Sequence, residues 1–250
     1  MSILIVLAKA PVAGRVKTRL CPPLTGEQAA SIARAALNDT LRAAAAVPAD
    51  HHILVLDGEP GDWVPEGFVV LPQKTGLLDQ RLIDAFADVF THVGHSPVDL
   101  SPVDLGPVDR SPVDRSPVDL SPVDPSPVER GEPCVLIAMD TPQVHPRQLS
   151  DALAHLADAD SVVGFAEDGG YWLIGLNTPD PKVFQGIPMS VDSTGAAQFE
   201  RLRSLGYGVA TMETLRDIDT LDDLDAVAAE FPHLEVAKLW TAIKSTLTNC

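Results

Sequence analysis

The stretch SILIVLAKAPVAGRVKTRL, residues 2–20, governs how the rest of the chain is read. Residues 2–8 are almost continuously apolar, as in a parallel strand covered on both faces. Residues 8–20 then carry Lys9, Arg15, Lys17 and Arg19 and no acid, and the first acidic residue of the protein is Glu27. This local excess of positive charge stands in a chain with 35 acids, 18 bases and a formal charge of −17. In an open α/β sheet, ligands bind outside the carboxyl ends of the strands, where this loop begins. Pro11 and Gly14 shape a tight excursion, and Gly14 can take positive φ and let backbone approach a ligand. Arg15, Lys17 and Arg19 offer donors suited to phosphate oxygens. The loop is neither a GxxxxGK[ST] nor a GxGxxG motif.

Composition narrows the remaining classes. An acidic surface repels a phosphate backbone, so nucleic acid is not an expected partner. The apolar run at the start is too short to span a membrane and lacks a preceding basic region and a small-residue cleavage site. It reads as a core strand, and the protein as cytoplasmic with no membrane association. Cys21, Cys134 and Cys250 are odd in number, widely separated and without CxxC spacing, which fits reduced thiols. The histidines, among them His51, His52, His145, His155 and His233, form no ligand spacing and give little support to a histidine metal site or a Ser-His-Asp triad.

Residues 96–130 are a pentapeptide in seven copies, SPVDL SPVDL GPVDR SPVDR SPVDL SPVDP SPVER. A proline every fifth residue removes a backbone donor and biases the preceding residue to extended conformations. One small Val per repeat is too little apolar surface to offset ordering entropy. The segment is expected to be a disordered, polyproline-rich insert in a single domain spanning 1–250. It reads as a tandem expansion tolerated in a surface loop, the alternative being a docking arm for an unknown protein partner.

Outside the insert, strand and helix signals alternate. Thr25 and Gln28 form a T-x-x-Q capping box before an Ala-rich helix. HHILVL (51–56) and FVVL (68–71) read as strands, and 77–93 as a helix with Leu78, Leu82, Ile83, Phe86, Val89, Phe90 and Val93 on one stripe. CVLIAM (134–139), SVVGFA (161–166) and YWLIGL (171–176) read as further strands. Pro146 opens one helix, another runs from about Thr194 to Leu205, and two helices close the chain from near Asp222 and Leu234. This alternation implies an α/β sandwich with a mostly parallel sheet.

Three more segments carry chemistry. CVLIAMDTP ends a buried strand in Asp140, which suits a ligand for a hard divalent cation or, equally, a turn or N-cap aspartate. FAEDGGYW sets Asp168, Gly169 and Gly170 between two strands, where Asp-Gly marks a turn and bare backbone could face a base or sugar. LRDIDTLDDLDAV offers Asp217, Asp219, Asp222 and Asp223; Thr220 or Asp222 caps the following helix, and most of these acids suit a helix start.

In order, AKAPVAGRVKTRL, AMDTP, EDGGYWLIGL and DIDTLDDL resemble the glycosyltransferase-A-like proteins known as radical-SAM/selenodomain-associated transferases. These are relatives of 2-phospho-L-lactate guanylyltransferase and, more distantly, of molybdenum-cofactor guanylyltransferases and sugar-nucleotide synthetases. The likeness covers residues 1–93 and 134–230, and QKTGLLDQRLIDAF, with Arg81, is similar to the family's segment after its third strand. It implies a GT-A nucleotide-diphospho-sugar transferase-like three-layer sandwich. It implies a nucleotide-binding loop with Ala8, Lys9, Gly14, Arg15, Lys17 and Arg19 at the phosphates. Arg15, Lys17 and Asp140 then take catalytic roles, Asp140 and Asp219 hold Mg²⁺ or Mn²⁺, and Asp168, Gly169 and Gly170 form the acceptor-side or base-side loop. The chain departs from glycosyltransferases proper in having no Asp-x-Asp pair at Asp140, and MSVDST (189–194) is a looser match.

The activity this implies is metal-dependent transfer from a nucleoside triphosphate or a nucleotide-sugar to an unknown small acceptor. Nucleotidyl and glycosyl transfer both stay open. A non-catalytic nucleotide-binding module using the repeat as an interaction arm is the alternative.

Overall fold

The structure, a computed structural model, describes residues 1–94 and 131–247; the expected insert at 96–130 and Cys250 lie outside the described residues. β1 (Ile3–Lys9) is flanked by β2 (His51–Asp57) and β4 (Cys134–Ala138), both parallel to it. β3 (Phe68–Pro72) extends the sheet beyond β2, and β5 (Ser161–Ala166), β6 (Tyr171–Leu176) and β7 (Val209–Leu215) extend it beyond β4. The strand order is β3-β2-β1-β4-β6-β5-β7, and β6 runs antiparallel to both its neighbours in an otherwise parallel sheet. The chain builds outward from β1 to β3 and then returns to the other side of β1. The β1–β4 boundary is therefore the switch point, where a crevice opens at the strand ends.

The apolar run of β1 works because its two faces meet different helices. Leu4, Val6 and Ala8 pack with Ala33, Leu37 and Leu41 of α1 (Gly26–Ala45) and Leu149 and Ala152 of α3 (Pro146–His155). Ile3 and Ile5 pack with Phe86, Val89 and Phe90 of α2 (Leu78–His92) and with Leu202 of α4 (Thr194–Ser204). That gives the three expected layers. The predicted box at Thr25 is formed, with Thr25 accepting from Gln28 N–H and the Gln28 side chain accepting from Thr25 N–H.

β7 is the one strand that the sequence pattern did not suggest. It pairs in parallel with β5 at the sheet edge, and its residues are only partly buried or exposed. Its place is fixed from β6: Trp172 lies against Gly164 and donates its indole N–H to the Glu213 carbonyl at 3.0 Å. A Cβ at Gly164 would come within 2.6 Å of that indole, so only glycine lets the ring reach across β5.

After β7, α5 (Leu221–Glu230) and α6 (Glu235–Leu247) pack on α1, enclosing Leu20, Ile218, Leu224, Val236 and Trp240. Buried Asp39 of α1 accepts the Glu235 and Val236 N–H groups at 3.1 and 3.0 Å, capping α6 from another helix. It also pairs with Arg42 at 2.7 Å. Among the described residues no helix is long and apolar enough to cross a membrane. Asp39→Ala strands these donors and should cost about 2–3 kcal/mol, read as a lower urea midpoint at unchanged m-value.

Candidate active site

The loop after β1 folds back over the crevice through its own hydrogen bonds. Ala10 N–H donates to the Asp57 carbonyl at the end of β2, and Arg15 N–H donates to the Val12 carbonyl. A short 3₁₀ turn, Thr18–Leu20, follows, anchored by fully buried Leu20. Lys17 just before it adopts the left-handed conformation at φ 48°. These turns aim the Lys17 side chain at the ends of β4 and β7.

Two carboxylates meet it there. Asp140 follows β4 and Asp219 follows β7, and the two segments are tied by Ile218 N–H donating to the Asp140 carbonyl at 2.9 Å. The Lys17 Nζ lies 2.6 Å from Asp140 Oδ1 and 3.3 Å from Asp219 Oδ1, and donates to the Ile218 carbonyl. Arg19 reaches the other Asp219 oxygen at 2.6 Å. Burial alone would lower the Lys17 pKa, but Asp140 and Asp219 outweigh it and hold the pKa above the ordinary lysine value. Asp223 supports Asp219 from behind, accepting from the Asp219 and Thr220 N–H groups at 3.3 and 2.8 Å. Thr220, not Asp222, is the helix cap. Arg216 joins Asp223 at 3.2 Å to Glu167 at 2.5 Å, linking the β5–β6 turn to the β7–α5 loop.

The crevice holds a cleft of about 580 Å³, the size of a small-molecule site. Of the expected residues, Ala8, Lys9, Arg15, Lys17 and Arg19 line it from the β1 side, and Asp140, Asp168, Gly170 and Asp219 from the other. Arg15 is exposed and reaches Asp57 only at 3.8 Å. Two glycines do not line the cleft. Gly14 turns the loop at φ 75° on its outer side. Gly169 does not present bare backbone to a base or sugar, because a Cβ there would fall 1.9 Å from the Asp192 carbonyl oxygen. That glycine exists to admit the 188–195 loop, and its carbonyl accepts from Gly195 N–H at 2.8 Å. Lys17 likewise points at carboxylates, and not at open space where a phosphate could lie.

Several lining residues lie outside the expected site set, although Arg81 and the 189–194 stretch belong to the segments that resemble the family. Asp217 sits at the cleft with its pKa pushed up to about 6, first by burial and then by the neighbouring Asp168 carboxylate. In sequence it is one of several acids before a helix. Gln73 and Arg81, bonded to each other, form the wall near β3 and α2. Met189, Ser190, Val191 and Asp192 close the opposite rim, with Ser190 at φ 61° and the loop fastened by Thr194 Oγ1 donating to the Pro188 carbonyl at 2.8 Å. The loose motif at 189–194 is thus a structured edge of the cleft.

Among the described residues no three His, Cys, Asp or Glu side chains are grouped to hold a metal ion. The donors that converge on one cation position are two carboxylates and a backbone carbonyl: Asp140, Asp219 and Ile218. An all-oxygen set of this kind suits a hard divalent ion. Cys21 and Cys134 are free thiols, remote from any such role.

Comparison with known proteins adds to this geometry. Residues 121–191 match a family model described as "Uncharacterized protein conserved in bacteria (DUF2064)". No curated protein matches the chain. A crystal structure from Desulfovibrio desulfuricans G20, of a protein provisionally described as a nucleotide-diphospho-sugar transferase, superposes with a TM-score of 0.75 at 22% identity, covering 100% of this chain and 98% of that one. A CMP:2-keto-3-deoxy-manno-octonic acid synthetase complexed with CTP gives a TM-score of 0.48 at 12% identity over 93% of this chain and 98% of its own. The 2-C-methyl-D-erythritol 4-phosphate cytidylyltransferase of Thermus thermophilus gives 0.45 at 15% identity over 92% and 98%. The Desulfovibrio likeness shows that this chain and that protein share one α/β fold.

Asp217 supplies a check on the electrostatics. A carboxyl whose pKa is higher folded than unfolded costs stability as pH rises from about 4 to 6, and the loss persists above. With chelator present, Asp217→Asn should therefore raise Tm at pH 8 by about 2–4 °C, allowing for solvent screening, and by much less at pH 4.5.

Proposed function

We propose that the chain is a transferase using a nucleotide donor bound at the β1–β4 crevice, with Mg²⁺ or Mn²⁺ held by Asp140 and Asp219. The observation that carries this is the convergence of those two carboxylates, from the ends of β4 and β7, on one cation position across the switch point from the loop after β1 and beside its exposed guanidinium groups. Arg15 and Arg19 are 67% and 70% exposed and lie at the mouth of the cleft, where they would receive donor phosphates. Phosphoryl-type transfer asks the protein for positioning and charge neutralisation more than for covalent chemistry. A bound divalent ion would supply neutralisation of charge on the phosphates.

The absence of a second acid at Ala138 or Pro142, the two positions that could pair with Asp140 in an Asp-x-Asp motif, favours nucleotidyl over glycosyl transfer. Kinship of the family its motifs resemble with 2-phospho-L-lactate guanylyltransferase points the same way, while that family's description as transferases of the glycosyltransferase-A type favours glycosyl transfer. A phosphate or carboxylate oxygen of the acceptor attacks the α-phosphorus of a nucleoside triphosphate. The bond from that phosphorus to the bridging oxygen breaks, and its electron pair leaves with pyrophosphate. The attacking oxygen is already anionic, so no proton need be removed. Arg15 and Arg19 neutralise the departing charge. Asp168 and Gly170, across the cleft, would line the acceptor side or the base side.

A thermal-shift panel of nucleoside triphosphates and nucleotide-sugars with Mg²⁺ or Mn²⁺ tests this. A ligand at a hundred times its Kd stabilises by about 2.7 kcal/mol, a rise of about 5 °C or more. The rise should require the metal, be largest with a triphosphate, and vanish in Asp140→Asn. Arg19→Ala should weaken the triphosphate about tenfold without abolishing it, a phosphate-contact loss of about 1.4 kcal/mol. A rise that survives both EDTA and Asp140→Asn would refute the metal role, and a sugar-nucleotide preference would shift the assignment to glycosyl transfer.

A further inference from the structure

Lys17 is the anomaly of the site. Lysine is among the residues least often buried, yet this side chain is only 6% exposed. Its backbone is left-handed at φ 48°, a conformation costing a non-glycine residue about 1 kcal/mol. What holds it is the set of three oxygens around Nζ: Asp140 Oδ1, Asp219 Oδ1 and the Ile218 carbonyl. An ammonium carries one charge and donates three hydrogen bonds; a divalent ion in the same place would take the same three oxygens as ligands.

We infer that Lys17 is an exchangeable internal cation, whose ammonium fills the divalent-ion position between Asp140 and Asp219 and leaves it for the cleft when such an ion enters. The charge count gives the exchange a purpose. Asp140, Asp219, Lys17 and Arg19 together are neutral, so the resting cluster holds little attraction for a triphosphate. With a divalent ion seated, the carboxylates are satisfied without Lys17 or Arg19, and the cluster gains two positive charges that face the cleft. The left-handed backbone at Lys17 is released in the same event, letting the 8–20 loop settle on the phosphates. Metal and triphosphate then bind cooperatively, each favouring the other by the same factor, and Lys17 is the residue that couples them. In the resting state Lys17 also shields two neighbouring carboxylates from mutual repulsion, which accounts for a pre-formed site in the absence of metal.

This role rests on the cleft holding a divalent ion, as proposed above. Binding of Mn²⁺ alone, without nucleotide, is measured by calorimetry on the wild type, Lys17→Met and Asp140→Asn. In parallel, the acylation rate of Lys17 in the wild type is followed by mass spectrometry with and without saturating Mn²⁺. Lys17→Met should bind Mn²⁺ at least tenfold more tightly than the wild type, because no internal cation competes, and Asp140→Asn should lose it. Lys17 in the wild type should be protected without metal and react at least tenfold faster with it. If Lys17→Met does not fold, the wild-type reactivity decides. Equal Mn²⁺ affinity in wild type and Lys17→Met, or a Lys17 still protected at saturating Mn²⁺, overturns the exchange while leaving the metal site standing. No Mn²⁺ binding by any form removes both the metal site and the exchange, and leaves triphosphate binding in EDTA as the separate measure of the basic loop.

Discussion

The 2.6 Å ion pair between Lys17 and Asp140 joins the loop after β1 to the end of β4, across the switch point of the sheet. Asp219 enters the same cluster from the end of β7, so three segments distant in sequence meet at one buried ammonium. A buried charge is tolerated only when paired and hydrogen-bonded, and here the requirement fixes three loops at once. The Ile218 N–H bond to the Asp140 carbonyl and the Asp223 bonds to Asp219 N–H and Thr220 N–H hold the carboxylates in place before any ligand arrives. The C-terminal helices belong to this arrangement. They bury Ile218 beside Leu20, clamping the β7–α5 loop to the 3₁₀ turn after Lys17.

Much of this was legible in the sequence because the signals are local. The apolar run of β1 is buried on both faces by the helices that its pattern calls for. The Thr25 capping box and Pro146 at the first turn of α3 are short-range hydrogen-bonding and φ preferences, and both are realised. The Asp168-Gly169 turn does join two antiparallel strands. The fold class followed from alternation, and the Desulfovibrio structure has the same fold.

What was not legible depends on tertiary contact. β7 is a half-exposed edge strand without a strong apolar pattern, and its pairing is set by Trp172 reaching across Gly164. Missing that strand hides the reason Asp217 and Asp219 reach the cleft at all, since β7 aims them there. Asp217 looks like a helix-start acid until burial and Asp168 are seen to act on it. Gly169 signals a turn, but only the Asp192 backbone explains why the space above it must be empty. Lys17 reads as a phosphate ligand by residue type; its carboxylate partners lie more than a hundred residues away. The acidic character of the chain, −17 in all, was no guide to the site, where charges of both signs are arranged within a few ångströms.

In the function proposed here, Asp140 and Asp219 define a cation position over which nucleotide phosphates bind. The most direct measurement is a crystal structure with Mn²⁺ and a non-hydrolysable nucleoside triphosphate, with anomalous scattering used to locate the metal. The predicted result is manganese between the two carboxylates, the phosphates against Arg15 and Arg19, and Lys17 turned into the cleft. A nucleotide bound elsewhere, or manganese absent from that position with Lys17 still seated between Asp140 and Asp219, would contradict it.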